Sequence, residues 1–303
     1  MARATYLEDT CKTALNRVPE ASRVPFRWTV NPYRGCTHSC HYCFARAFHT
    51  YLDMDIGDDF ASRIVVKTNV VGVLRREFAS PKWTGEHVAM GTATDPYQHC
   101  EGRYRLTRGV VEAFADFENP LSMLTKSTMI VRDLDVFRRL NGVADVTVSM
   151  SVGTLDEEVR RVVEPGTPPG HRRLEILARF ADAGIRTGVL VAPILPGLTD
   201  DDEHLEEVIA ACVEAGVSSA APIALHVRAS IRDYVLPWIG RTYPALVPLY
   251  RELYGSRAYA PKAYQQDLSE RFTRIRDRHG LEPSGHRRGA PRREREEQLA
   301  LAV

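Results

Sequence analysis

Short apolar runs alternate with amphipathic stretches along most of the chain. The nearly continuous apolar run at residues 187–195 is typical of a parallel strand that is buried on both faces, and residues 144–152 are a further strand candidate. Between such runs lie stretches with apolar residues at helical spacing, including residues 106–117 and 171–183. The second of these is followed by Gly184, a residue type common just after a helix end. The alternation predicts an α/β fold built from parallel β/α units.

About six such units can be traced. The predicted core strands are residues 26–30, 87–94, 121–127, 144–152, 187–195 and 218–226, with a further β-branched run at 63–67. Six units favour a partial, open (β/α)6 barrel of the TIM type over a closed eightfold barrel. We therefore expect an N-terminal extension (1–25), the barrel core (26–228), a helical C-terminal extension (229–280) and a tail rich in Pro, Gly and Arg that is disordered (281–303).

The composition is that of a globular protein with a full hydrophobic core. Of 303 residues, 44% are hydrophobic and 26% are charged, and the formal net charge is only +1. So small a net charge excludes a global field that would attract nucleic acid or a membrane. No apolar run approaches the roughly 20 residues that span a bilayer, and residues 1–19 lack the apolar stretch of a secretory signal. We expect a cytoplasmic protein without membrane contact.

Three of the six cysteines fall within the stretch CTHSCHYC at residues 36–43. In a reducing compartment such a group is more often a metal site than a set of disulfides. Thiolates are the ligands of iron–sulfur clusters, and three of them leave the fourth iron of a [4Fe–4S] cubane open. An open position separates catalytic from structural metal centres. Cys36, Cys40 and Cys43 are therefore the predicted cluster ligands.

Other interpretations of these thiols stay open. A zinc site could be completed by His38 or His41, or the thiols could be reduced core residues. Structural zinc usually takes paired C-x-x-C elements, and the sequence has no second pair. A non-enzymatic iron–sulfur electron carrier or redox sensor would normally use four thiolates, and no fourth cysteine has a suitable local spacing.

The C-x-x-x-C-x-x-C loop, placed after a first strand and before a β/α series, resembles the radical S-adenosylmethionine (SAM) superfamily. The stretches NPYRGCTHSCHYCFAR, TDPYQ and APILPGLTD resemble one uncharacterised bacterial branch related to spore photoproduct lyase. The resemblance covers about residues 28–226 and implies a partial (β/α)6 barrel. It also implies that SAM chelates the open iron and is split reductively to methionine and a 5′-deoxyadenosyl radical, which abstracts hydrogen from a substrate.

The resemblance assigns SAM contacts to successive strand ends, where this architecture places active sites. Thr94 and Asp95 offer acceptors for the SAM amino group, although an Asp-Pro turn explains them equally simply. Lys126 would reach the SAM carboxylate; the alternative is a snorkelling surface lysine. Ser149 and Ser151 would add hydroxyl contacts.

Further candidates lie on later strands. Pro193 and Ile194 resemble the strand that frames adenine in the superfamily, although a helix-entry turn is an adequate explanation. His226 and Glu164 are weaker candidates for facing the site or binding substrate. A reductant of the flavodoxin or ferredoxin type is expected from the family.

The substrate is left open by the sequence. Spore photoproduct lyases carry a hydrogen-donating cysteine where this chain has Thr92, and a tyrosine where it has Phe44. Both departures argue against thymine-dimer repair by that route. Tyr42 and Cys100 are the remaining candidates for a catalytic side chain, with a structural Cys100 as the alternative. DNA or RNA as substrate would require a basic groove, for which the arginines between 228 and 295 are the candidates.

Overall fold

The computed structural model describes residues 4–22 and 24–283 and contains two β-sheets covered by helices. The strands are β1 (Thr5–Asp9), β2 (Leu15–Arg17), β3 (Trp28–Val30), β4 (Tyr33–Arg34), β5 (Arg63–Lys67), β6 (Val88–Met90), β7 (Leu121–Thr125), β8 (Val146–Ser151), β9 (Arg186–Ile194), β10 (Ser219–Ala224) and β11 (Glu282–Pro283).

The helices alternate with these strands through most of the chain. The α-helices are α1 (Asp58–Ser62), α2 (Val70–Phe78), α3 (Glu101–Tyr104), α4 (Leu106–Asp116), α5 (Leu134–Asn141), α6 (Glu157–Val163), α7 (Gly170–Asp182), α8 (Asp202–Glu214), α9 (Ala229–Thr242), α10 (Val247–Tyr254) and α11 (Lys262–Arg278). Single 3-10 segments span Phe44–Leu52, Thr128–Asp133 and Pro244–Leu246.

The larger sheet has the order β11-β10-β9-β8-β7-β6-β3-β2. Strands β3 and β6 to β10 are parallel and follow one another in chain order, as expected for six successive β/α units. Edge strand β2 is antiparallel to β3, and β11 extends the other edge beside β10. The α/β fold and its six predicted core strands are thereby confirmed, and the strand order runs from one edge, β11, to the other, β2.

Apolar side chains on both faces of the sheet explain why helices cover it. Met90, Met123 and Val148 are paired directly across β6, β7 and β8 on one face and are fully buried, and Ala89, on the opposite face of β6, is also buried. Helix α4 buries Val110 and Phe114 in the same core. The nearly continuous apolar strands of the sequence therefore lie where water is excluded from both sides.

Of the smaller sheet, the sequence analysis identified only the β-branched run at 63–67, which forms β5. Its order is β1-β5-β4, with β1 parallel to β5 and β4 antiparallel to it. β1 is largely polar and half-exposed, so it lacks the apolar pattern of a buried strand. The predicted N-terminal extension therefore contributes a strand. Because β4 ends at Arg34, this sheet fixes the point at which the cysteine loop begins.

Two further segments differ from expectation. Helix α6 is only seven residues long, too short for a clear apolar period, and begins where the Asp156 carboxylate accepts the N–H groups of Glu158 and Val159. The tail expected from 281 onward begins as strand β11, and residues 284–303 lie outside the described residues. The expected C-terminal helices are α9 to α11.

Among the residues that the structure describes, no helix is both long and apolar enough to cross a bilayer.

The predicted strand at 87–94 ends early because the chain turns sharply at Gly91. Its φ is +92°, and a Cβ built there would lie 1.9 Å from the Leu124 carbonyl oxygen of β7. Only glycine combines this backbone angle with so close a neighbouring strand. The turn directs the following residues, 92–95, toward the strand ends.

We expect Gly91→Ala to destabilise the protein far more than Gly85→Ala. Gly85 also has a positive φ, +77°, but nothing lies within 4 Å of a Cβ built there. In the control variant Gly85→Ala, the free energy of unfolding should fall only by the roughly 1–2 kcal/mol that a positive φ costs a residue with a Cβ. Gly91→Ala adds overpacking of typically about 1–3 kcal/mol. Urea unfolding of both variants measures the difference, and equal losses would contradict the proposed contact.

Candidate active site

The three motif cysteines line one open cavity at the carboxyl ends of the parallel strands. The cavity volume is about 200 Å³. One wall is the loop between β4 and the 3-10 segment Phe44–Leu52, and the others are the ends of β6 to β10. Of the predicted site residues, those lining it are Cys36, Cys40, Tyr42, Cys43, Thr94, Asp95, Lys126, Ser151, Pro193 and His226.

The segment after β6 fastens the first part of the cysteine loop. The Thr94 hydroxyl donates to the Gly35 carbonyl at 2.5 Å, and the Gln98 amide donates to the same oxygen at 3.0 Å. The Gln98 amide oxygen in turn accepts the Thr37 N–H at 3.0 Å. These two side chains of the TDPYQ stretch therefore bind the loop that carries the cysteines.

Asp95 accepts hydrogen bonds on both carboxylate oxygens. Its partners are the Thr125 hydroxyl (2.6 Å), the Lys126 N–H (2.7 Å) and the Tyr97 N–H (2.9 Å), and His38 Nδ1 lies at 3.3 Å. Burial alone would raise the pKa of this carboxyl, but His38 and the donated hydrogen bonds hold it at about 2. Asp95 thus links the cysteine loop to the ends of β6 and β7.

The segment after α6 fastens the other side of the loop. The His41 N–H donates to the Val163 carbonyl, and the Gly166 N–H donates to the His38 carbonyl, both at 3.0 Å. A Cβ built at Gly166 would lie 2.4 Å from the Thr37 carbonyl oxygen. The two backbones therefore approach too closely for a larger residue at Gly166.

Glu164 is a second buried carboxylate beside the loop. It accepts hydrogen bonds from the Tyr42 hydroxyl and from Arg173, and the Lys126 ammonium lies 3.6 Å from its Oε1. Burial raises the pKa of Glu164, but Arg173 and Lys126 together lower it to about 2. The Lys126 ammonium also donates to the Ser151 hydroxyl. Lys126 is thereby held at the cavity wall rather than snorkelling into solvent.

The three thiols are weak acids because they are buried. The pKa of Cys40 is raised to about 12, and those of Cys36 and Cys43 are also raised, chiefly because burial disfavours the thiolate. A coordinating cation reverses this preference and deprotonates its thiol ligands. The loop is therefore suited to thiols that become charged when metal binds.

The three thiols do not form a site for a single metal ion. Within residues 4–22 and 24–283, no three His, Cys, Asp or Glu side chains converge where one metal ion would bind. A [4Fe–4S] cubane takes each thiolate on a different iron, so its ligands need not converge on a point. Three cysteines facing one cavity fit such a cluster.

Four predicted site residues do not line the cavity: Glu164, which lies behind it against Tyr42 and Lys126, and Ser149, Ile194 and Cys100. Ser149 lies two residues before Ser151 on the same face of β8, beside Gly188 of β9 and deeper in the sheet. Ile194 is fully buried in the core. Cys100 is buried with Tyr33, Ile64 and Val66 in a separate small cluster.

Several supporting residues were missed by the sequence analysis. Gln98 belongs to the quoted TDPYQ stretch and Arg46 to the quoted cysteine stretch, but neither received a role. Arg173 gave no local signal, because it lies on α7 and meets Glu164 only in the fold.

Comparison with known proteins gives a consistent assignment. The family model described as the radical SAM superfamily matches residues 30–209. An uncharacterized protein of Mycobacterium tuberculosis strain H37Rv is 45% identical over 287 residues, 95% of this chain and 84% of that protein. A radical SAM Nα-GlyT isomerase of Pseudomonas phage M6 is 28% identical over 202 residues, 62% of this chain and 40% of that protein.

Solved structures resemble the fold. A spore photoproduct lyase variant with bound AdoMet and dinucleoside spore photoproduct superposes with a TM-score of 0.66 at 17% identity. The superposition covers 90% of this chain and 79% of the lyase. At this identity the likeness establishes a shared architecture.

We expect Asp95→Asn to lower the free energy of unfolding above about pH 4 and to lower it less at more acidic pH. The folded pKa of Asp95, about 2, is below the unfolded value of about 3.9, so its stabilisation is present above pH 4 and is lost toward pH 2. The difference in unfolding free energy between wild type and variant should shrink by roughly 2 kcal/mol over that interval.

Urea unfolding of the iron-free protein at several pH values between about 2 and 5 measures this difference. The exposed Asp182→Asn variant on α7 is the control and should show no comparable pH dependence. A difference for Asp95→Asn that stays constant over the whole pH range would contradict the assignment.

Proposed function

This chain belongs to the radical SAM superfamily and is an enzyme, and on that premise we propose that Cys36, Cys40 and Cys43 hold a [4Fe–4S] cluster. The observation that carries the proposal is that one cavity brings the three thiols together with the Lys126 ammonium. When bound, the cluster would supply the electron that splits SAM into methionine and a 5′-deoxyadenosyl radical, which takes hydrogen from a substrate.

In this proposal the strand ends bind and orient SAM. Lys126 pairs with the SAM carboxylate, and its hydrogen bond to Ser151 holds it at the cavity wall. The edge at residues 92–94 receives the SAM amino group, while Asp95 acts through the loop because its own acceptors are occupied. Pro193, at the cavity wall, contacts the adenine side of SAM.

The remaining predicted residues take smaller parts or none. Tyr42 lines the cavity and is oriented by Glu164, so it stays a candidate for contact with the reacting groups. The proposal gives Cys100, Ser149 and Ile194 no direct contact with SAM, because none of them lines the cavity. A flavodoxin or ferredoxin is the proposed electron donor.

We expect Cys40→Ala to abolish 5′-deoxyadenosine formation. The protein is reconstituted anaerobically with iron and sulfide and then given SAM and dithionite. The wild type should form 5′-deoxyadenosine, and Cys40→Ala should lose at least about 99% of it, because the cluster loses one of its three ligands.

Cys212→Ala is the matched control, since Cys212 is equally buried but lies in the core on α8. Its product yield and iron content should equal those of the wild type. A wild type that carries zinc and no iron–sulfur chromophore would contradict the proposal.

A second candidate function, action on a nucleic acid, is favoured by aromatic rings at the cavity mouth. The His226 ring lies between those of Phe44 and Tyr259, with centroids 5.8 and 5.6 Å away. Phe44 is 41% and Tyr259 50% exposed, although large aromatic residues are usually buried. Exposed planar rings stack on unpaired bases. Exposed Arg228 and Arg257 flank the group in sequence and would suit phosphates.

We expect Tyr259→Ala to weaken binding of a single-stranded DNA or RNA oligonucleotide at least about fivefold, since stacking contributes about 1–3 kcal/mol per base. Phe117→Ala is the control, because Phe117 is 37% exposed but lies just before the start of β7, at the other end of the sheet. Fluorescence anisotropy of a labelled oligonucleotide measures both. Affinity that is unchanged between low and high salt would argue against a nucleic-acid substrate.

A further inference from the structure

Arg46 lies three residues after the last motif cysteine and is fully buried. Its guanidinium donates to the carbonyls of Cys40 (2.9 Å) and Ser39 (3.0 Å) in the cysteine loop. It also donates to the carbonyls of Ile56 and Gly57, both at 2.8 Å. A longer contact of 3.4 Å to the Ser39 hydroxyl completes the partners of its five N–H groups, so Arg46 joins the cysteine loop to the segment before α1.

The side chain lacks an anionic partner in the described part of the chain. No described carboxylate oxygen lies within 4.0 Å of its guanidinium nitrogens. The two other arginines described as buried differ, since Arg173 pairs with Glu164 and Arg160 with Glu157. Burying a charge without an opposite charge is strongly unfavourable. A negative charge near Arg46 would therefore offset the cost of burying its guanidinium.

Two aromatic rings contact the Arg46 guanidinium and stabilise its positive charge in part. The Arg46 guanidinium lies 4.9 Å from the centroid of the Phe60 ring and 4.7 Å from that of Tyr234 on α9. Such contacts favour a cation but leave its charge uncompensated.

The missing anion matches the charge of the loop when iron is bound. The two buried carboxylates beside the loop already have partners, Asp95 with His38 and Glu164 with Arg173 and Lys126. Three thiolates outweigh the two positive charges of an oxidised [4Fe–4S] core, so the assembly has one net negative charge. One-electron reduction makes it two, and no protein bond forms or breaks.

We propose that Arg46 is the counter-cation of the cluster and stabilises its reduced form. This inference rests on the proposed function and extends it to a residue that positions and tunes the cluster without touching SAM. Removing the positive charge should make reduction less favourable, because nearby charge is one of the factors that set cluster potentials.

The test is a redox titration of the reconstituted protein with dithionite, followed by the EPR signal of the reduced cluster. In Arg46→Gln we expect the ratio of reduced to oxidised cluster at a fixed potential to fall at least tenfold, a shift of 59 mV for one electron. Arg46→Lys keeps the charge and should stay within about threefold of wild type. Arg160→Gln, which removes a buried arginine that already has a carboxylate partner, should also match wild type.

The outcomes separate this inference from the proposed function. A wild type without an iron–sulfur signal overturns both. A wild-type signal with an unchanged potential in Arg46→Gln, or with equal shifts in Arg46→Gln and Arg46→Lys, overturns the counter-cation alone. If Arg46→Gln binds no iron, its potential cannot be measured, and the free energy of unfolding of the iron-free variants is measured instead. The inference is supported if Arg46→Lys retains iron and iron-free Arg46→Gln is no less stable than iron-free Arg160→Gln. Loss of iron in both Arg46 variants overturns it.

Discussion

The site depends on how an irregular loop carrying three buried thiols satisfies its own backbone. Such a loop has no strand or helix to pair with, and buried polar groups without partners are costly. Here the partners come from two directions: Thr94 and Gln98 after β6, and the backbone at residues 163–166 after α6. Two buried carboxylates, Asp95 and Glu164, are fixed in these same segments. The loop is therefore hydrogen-bonded from two sides, although its conformation is irregular.

The parallel sheet explains why these groups meet. Strands β6 to β10 all end at the same edge, so residues distant in sequence reach one cavity. Gly91 turns the chain out of β6 immediately, which brings Thr94 and Asp95 back over the loop. The smaller sheet fixes the start of the loop at β4, and α9 covers its far side through Tyr234. Regular elements thereby position a site made mostly of loop residues.

The core strands could be predicted from the sequence because apolar runs are a local signal, and the proposed cysteine ligand set rests on another local signal, the spacing of the thiols. Apolar runs gave β7 to β10 within a few residues, and the spacing of Cys36, Cys40 and Cys43 indicated a cluster loop. The supporting contacts were beyond such reasoning. Thr94 and Asp95 line the cavity, and their side chains also bind the cysteine loop, which their residue types did not indicate. Arg173 meets Glu164 only through the packing of α7. A pattern of residue types shows which side chains can carry chemistry, but tertiary contacts decide which are free to do so.

The central claim is that three thiolates from one loop hold a cubane with one iron left for SAM. Mössbauer spectroscopy of protein reconstituted with iron-57 addresses it directly, because it distinguishes the iron sites of one cluster. The expected result is a [4Fe–4S] spectrum in which one iron site changes on addition of SAM while the other three do not. A spectrum without a cubane, or one in which SAM alters no iron site, would contradict the account.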